Sequence, residues 1–150
     1  MLLNEKDPDK LFAKLSNLHI FSLLLQIMFV VGAYYFVSGK RNFYINDTHS
    51  LLYLQYVVFI LVMGTMPLCE YLVKQNLKKL IPLKDETIKV TKYINILIFK
   101  LAAIELVNFM VLISYLLSGN KTFLYISVIL MLFFLISRPG KDKVYTDLNI

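Results

Sequence analysis

The chain is short of the residues that most chemistry needs. It has one cysteine, Cys69, two histidines, His19 and His49, and only 5 glycines and 4 prolines in 150 residues. A single cysteine excludes an internal disulfide and any paired-cysteine metal or redox site. A small apolar filler is the use that remains for Cys69. No Gly-rich phosphate loop, His-rich metal spacing or nucleophile motif occurs, so no cofactor and no catalytic set is expected. There is no internal repeat and no low-complexity tract. A charged face is also missing from each of the stretches 17–37, 51–71, 94–117 and 123–137. A helix of a water-soluble bundle needs such a face.

What is present is apolar length. Hydrophobic residues make up 58% of the chain, against roughly 45–50% in a soluble domain. Crossing a hydrocarbon core of about 30 Å takes roughly 20 residues of helix. The first three stretches reach that, and the fourth, "FLYISVILMLFFLIS", is shorter but carries no charge. The expected fold is all-α: a single integral membrane domain over 1–150, an antiparallel bundle of four transmembrane helices. The first stretch contains "SLLLQIMFVVGAYYFV", longer than the apolar core of a signal peptide and not followed by a small-x-small cleavage site. It reads as a membrane anchor.

Basic residues orient the bundle. Lys6, Lys10 and Lys14 precede the first stretch. Lys74, Lys78, Lys79, Lys84, Lys89 and Lys92 lie between the second and third, and Arg138, Lys141 and Lys143 follow the fourth. The other side holds Lys40, Arg41 and Lys121. Positively charged loops stay in the cytoplasm, so both termini are predicted cytoplasmic in a multi-pass protein. The net charge of +6 then forms a skirt that anionic headgroups attract, and no nucleic-acid partner is needed to explain it. Tyr34, Tyr35, Tyr53 and Tyr125 fall near the opposite interface as an aromatic belt. On this topology His19 and His49 sit on opposite sides of the membrane and do not form one site.

Local signals mark the ends of the helices. Asp7 is a candidate N-cap, and Pro8 suits a first helical position. Leu11, Phe12 and Leu15 then share a face, as a short interfacial helix or as an extension of helix one. Pro67, with Gly64 nearby, predicts a kink in helix two. That helix is expected to end near Leu80, before Pro82. Asp85 caps the next helix, with Glu86 in its first turn. "SGN" gives a tight turn before helix four, and Pro139-Gly140 ends that helix. Asn46-Asp47-Thr48 and Asn120-Lys121-Thr122 match the glycosylation pattern and are assigned no function.

The polar groups inside the apolar stretches are the candidate site. Glu105 lies midway along 94–117, too short to reach water, where an exposed charge costs on the order of 2.5–3.5 kcal/mol. It should face other helices. At about 100° per residue, Asn108 lies about 60° from Glu105, with Leu101 and Leu112 between them. Lys100 lies about 140° away, so the two cannot pair within one helix. The long stem of Lys100 can carry its ammonium to the headgroups; the alternative is a pair with Glu70 on helix two. His19, Ser22 and Gln26 follow one face of helix one, and Gln55, Met63, Met66 and Glu70 one face of helix two. The candidate intramembrane polar site is therefore Glu105, Asn108, Gln26, His19, Glu70 and Lys100, expected as a small network inside the bundle. It serves either to join helices or to handle a proton or cation.

The segments "KLAAIELVNF", "YLLSGNKTFL" and "FLISRPGKDKVYTDLNI" resemble an uncharacterised group of small four-helix bacterial membrane proteins. The matching positions are Glu105, Gly119, Asn120, Arg138, Pro139, Asp147 and Leu148, in the last third of the chain. The pattern departs after Glu105, where the group has Gly-Pro and this chain has Leu106-Val107. The resemblance implies a four-helix fold in a bacterial inner membrane and no particular activity. The functional expectation is a non-enzymatic accessory or assembly partner in a membrane complex. The alternative is a small proton-coupled transporter working as an oligomer through Glu105. Expected partners are the lipid bilayer and either another membrane protein or a second copy of the chain.

Overall fold

The computed structural model describes residues 8–39, 43–45, 47–83, 85–137 and 140–148. Lys6, Asp7, Lys40, Arg41, Asn46, Lys84, Arg138 and Pro139, which figure in the reading above, lie outside them, as do the side chains of Leu11 and Lys141. The chain forms helices α1 (Pro8–Ser38), α2 (Thr48–Leu80), α3 (Glu86–Ser118), α4 (Lys121–Ile136) and α5 (Lys141–Leu148), and there is no strand among the described residues. Three helices are long and apolar enough to cross a membrane, and α4 is a shorter apolar helix. Their outer faces are apolar too: Phe21, Met28, Tyr56, Ile60 and Leu106 are all well exposed. These are the features of an integral membrane protein.

Several helix ends have a local cause. Pro8 begins α1 at the position where a missing N–H costs nothing. The helix then runs without a break, so the N-terminal amphipathic stretch is an extension of helix one and not a separate interfacial helix. Asp47, part of a glycosylation triplet in the sequence, caps α2: its Oδ2 accepts the Ser50 N–H at 2.8 Å. That bond holds the Asp47 carboxyl below the usual carboxylate range. α2 continues through Pro67 as one helix and ends at Leu80, the expected end. Asp85 accepts the Ile88 N–H at 3.1 Å, and Glu86 puts negative charge at the start of α3. Gly119 ends α3 in the left-handed region, at φ 64°. Asn120 then caps α4 by accepting the Thr122 N–H at 2.9 Å.

The helix α5 follows the Pro139-Gly140 breaker and has no start signal in the sequence. Gly140 precedes it, and it places Val144 and Leu148, four residues apart, against the bundle, both fully buried. They join Leu15, Leu80, Val90 and Ile94 in one cluster. The start of α1, the end of α2, the start of α3 and α5 therefore meet at one end, where the Phe12 and Tyr145 rings lie 6.0 Å apart. At the other end Ala33, Val37, Val58, Val111, Tyr115 and Phe123 form a second cluster. Tyr34, Tyr35, Tyr53 and Tyr125 are exposed there. α4 carries the chain from the second end back to the first.

α3 is central, packing against α1, α2, α4 and α5. α2 is peripheral and buries only Val58, Cys69 and Leu80 among its described residues. Of the α2 face read from the sequence, Met66 packs against both clusters, but Met63 is exposed. Lys89, counted among the loop charges, is buried in the early turns of α3.

The turn at Gly119 is pinned from outside. Ile45 N–H donates to the Leu117 carbonyl at 3.2 Å, and a Cβ on Gly119 would fall 2.5 Å from the Phe43 ring. Gly119→Ala therefore combines left-handed strain, about 1–2 kcal/mol, with a clash. Gly32→Ala meets nothing within 4 Å and gains helix propensity of roughly 0.5–1 kcal/mol. Unfolding in mixed micelles, followed by circular dichroism, should show the first variant less stable than wild type by at least about 1 kcal/mol and the second no less stable.

Candidate functional site

Four side-chain hydrogen bonds join α3 to its neighbours among the described residues, one to each helix. Ser22 Oγ on α1 donates to Glu105 Oε2 at 3.1 Å. Ser127 Oγ on α4 donates to Asn108 Oδ1 at 2.6 Å. Lys100 Nζ on α3 donates to Glu70 Oε1 on α2. Tyr93 OH on α3 donates to Asp147 Oδ2 on α5 at 2.5 Å. Two of these contacts bind residues read as a single cluster to separate partners.

Lys100 takes the second of the two options open to it. It pairs with Glu70 instead of reaching to the headgroups, and its ammonium also lies 5.9 Å from the centre of the Phe133 ring on α4. The Glu70 side chain is 44% exposed and that of Lys100 13%. A pair open on one side is screened, and its net contribution is at most about 1 kcal/mol. Its more definite effect is to fix α2 against α3 near the end where α5 packs.

His19 is fully buried, with its ring stacked on Phe134 at 4.5 Å and 7° between planes. Phe134 belongs to the cluster at the α5 end. His49 is exposed in the first turn of α2, at the opposite end, so the histidines do not meet. No group of three or more His, Cys, Asp or Glu side chains among the described residues could hold a metal ion.

The remaining three residues do come together. Glu105, Asn108 and Gln26 line one groove of about 350 Å³ on the seam between α1 and α3, with Leu25, Phe29 and Leu112 among its apolar walls. Glu105 is half-buried. It faces α1, as expected, but it borders a groove rather than a closed interior. Gln26 is 4% exposed, and neither its amide nitrogen nor its amide oxygen has a hydrogen-bond partner. Leaving such a group unsatisfied costs roughly 1–3 kcal/mol. The Phe29 and Phe109 rings stand edge to face at 6.0 Å beside it. The groove meets a second, of about 390 Å³, through shared walls at Phe29, Phe109 and Leu112.

The expected network of six thus resolves into a groove triad, Glu105, Asn108 and Gln26, with the Lys100–Glu70 pair and His19 elsewhere. Sequence reasoning missed Ser127 and Asp147 as partners. Ser127 was marked by position: it falls in the buried stripe Phe123, Ser127, Leu130 and Phe134, at helical spacing. A hydroxyl in such a stripe needs an acceptor. Asp147 stands beside Leu148 on a helix that the Pro139-Gly140 breaker concealed.

A double-mutant cycle on Asn108→Ala and Ser127→Ala should give a coupling near 0.6 kcal/mol and below about 1.7 kcal/mol, the range for polar pairs between membrane helices. Unfolding in micelles measures it, and a coupling of zero would show that the bond does not join α3 to α4.

Comparison of the chain with models of protein families, with curated proteins and with solved structures finds no match.

Proposed function

We propose that the chain is a non-enzymatic four-pass membrane protein that serves as an accessory or assembly partner in a membrane complex. The observation that carries this reading is the use made of its polar groups. Ser22–Glu105, Ser127–Asn108, Lys100–Glu70 and Tyr93–Asp147 each join α3 to a different helix. Polar side chains so distributed serve cohesion. The peripheral α2 supports the same reading. It presents Tyr56, Ile60 and Met63 outward, an apolar face open to lipid or to a partner's helices.

On this reading the end of the bundle holding α5 is cytoplasmic, because Lys74, Lys78, Lys79, Lys92 and Lys143 cluster towards it. Both ends of the chain then face the cytoplasm of a bacterium, and the membrane is the inner one. The likeness to small four-helix bacterial membrane proteins over the last third of the chain supports this setting.

A second reading has its own observation. Glu105 lines a groove as well as accepting a bond, and an intramembrane carboxylate is a functional candidate by default. This suits a proton-coupled transporter working as an oligomer, with Glu105 exchanging a proton for substrate.

Two experiments separate the readings. Extraction in mild detergent should yield the chain in a defined complex of constant stoichiometry, with α2-face variants such as Ile60→Arg reducing recovery of the partner. Repeated isolation of the chain alone would contradict the assembly reading. Glu105→Gln should leave complex formation intact under that reading, whereas under the transport reading it abolishes substrate uptake by vesicles while the fold survives.

A further inference from the structure

The groove between α1 and α3 holds groups that lipid tails cannot satisfy. Glu105 borders it half-buried, at mid-depth of an apolar helix. Gln26 lines it with a buried amide that has no hydrogen-bond partner. The other walls are apolar and aromatic, with Phe29 and Phe109 edge to face. From this we infer that the groove is a binding site for a lipophilic organic monocation that enters from the bilayer.

Each feature selects part of such a ligand. The carboxylate favours one positive charge. A compact, strongly hydrated inorganic ion would find too few oxygens here, since hard cations take six or more. An alkylammonium or phosphonium head sheds its water easily and gains from the faces of nearby aromatic rings. The Gln26 carbonyl oxygen offers a second acceptor to an N–H donor or to a diffuse positive charge.

Size points the same way. Recesses that hold drug-sized molecules run from about 300 to 1,000 Å³. The Glu105 groove has about 350 Å³ and its neighbour about 390 Å³. The second groove runs past Gly32, where an added Cβ meets nothing within 4 Å. A head at Glu105 can therefore extend an apolar tail towards Gly32 and Phe36. Gln26 is recessed, at 4% exposure, so it is within reach of a head group that enters the seam but not of a helix laid across it.

The inference rests on one part of the second reading, that Glu105 does more than join helices, and it adds the class of ligand. It requires no transport step. Full-length protein in nanodiscs of zwitterionic lipid, with empty discs as blank, is titrated with methyltriphenylphosphonium, decyltriphenylphosphonium and the uncharged triphenylphosphine oxide. The two cations should bind saturably and the neutral compound should not. Glu105→Gln should weaken both cations at least tenfold. Gly32→Leu, which fills open space, should keep methyltriphenylphosphonium binding and cancel the gain from the decyl tail. Circular dichroism confirms that each variant is folded. No saturable binding above the blank, equal binding of the neutral compound, or a folded Glu105→Gln with unchanged affinity overturns the inference. If Glu105→Gln fails to fold, the tail dependence in Gly32→Leu decides. Binding without uptake would end the transport reading and leave this inference standing.

Discussion

In a bilayer two helices gain little hydrophobic energy by touching, because lipid tails are as apolar as leucine. Association then depends on close packing and on hydrogen bonds across the contact. This constraint makes α3 the organising element. It packs against all four others, and it meets each with one polar side-chain bond among the described residues: Glu105 with α1, Asn108 with α4, Lys100 with α2 and Tyr93 with α5. The four contacts spread along its length, so each neighbour is fixed at a different depth. Peripheral α2, with three buried residues among those described, packs along α3 and is joined to it by the Lys100–Glu70 pair.

The same constraint explains why the α1–α3 seam stands apart. At the other contacts Asn108, Lys100 and Tyr93 are each matched by a side chain across the interface. At this one Glu105 accepts a bond from Ser22, yet Gln26 nearby has no partner and both border open space. A seam that is only structural would gain by replacing Gln26 with leucine. Retaining an unsatisfied amide beside a carboxylate in an apolar wall costs stability, and such a cost is characteristic of sites that meet a ligand.

The sequence shows the bundle more clearly than the site. Helix ends are local events, and Pro82, Asp85 and the Ser-Gly-Asn turn could be read because each acts on its own few residues. Asp47 is equally local, but the only pattern noted around it is a glycosylation triplet assigned no function. The six polar candidates were visible because charge and amide groups are rare in apolar helices. Which of them meet was not, because the angle around one helix says nothing about which neighbour it faces. Glu105 and Asn108 share a face of α3 yet bond to α1 and α4. Lys100 had two ways to be satisfied, and only the placement of Glu70 decides between them. α5 escaped because its signal is a single apolar pair, Val144 and Leu148, in an otherwise polar tail.

The central claim is that α3 lies between α1 and α2 and holds them apart. It is tested most directly by cross-linking paired cysteines in a Cys69→Ala background, in native membranes, with a short bifunctional thiol reagent. Cysteines replacing Ser22 and Glu105, and those replacing Ser127 and Asn108, should cross-link in high yield, while a pair replacing Leu25 and Ile60 on α1 and α2 should not. Efficient linkage of α1 to α2 with none between α1 and α3 would contradict the account.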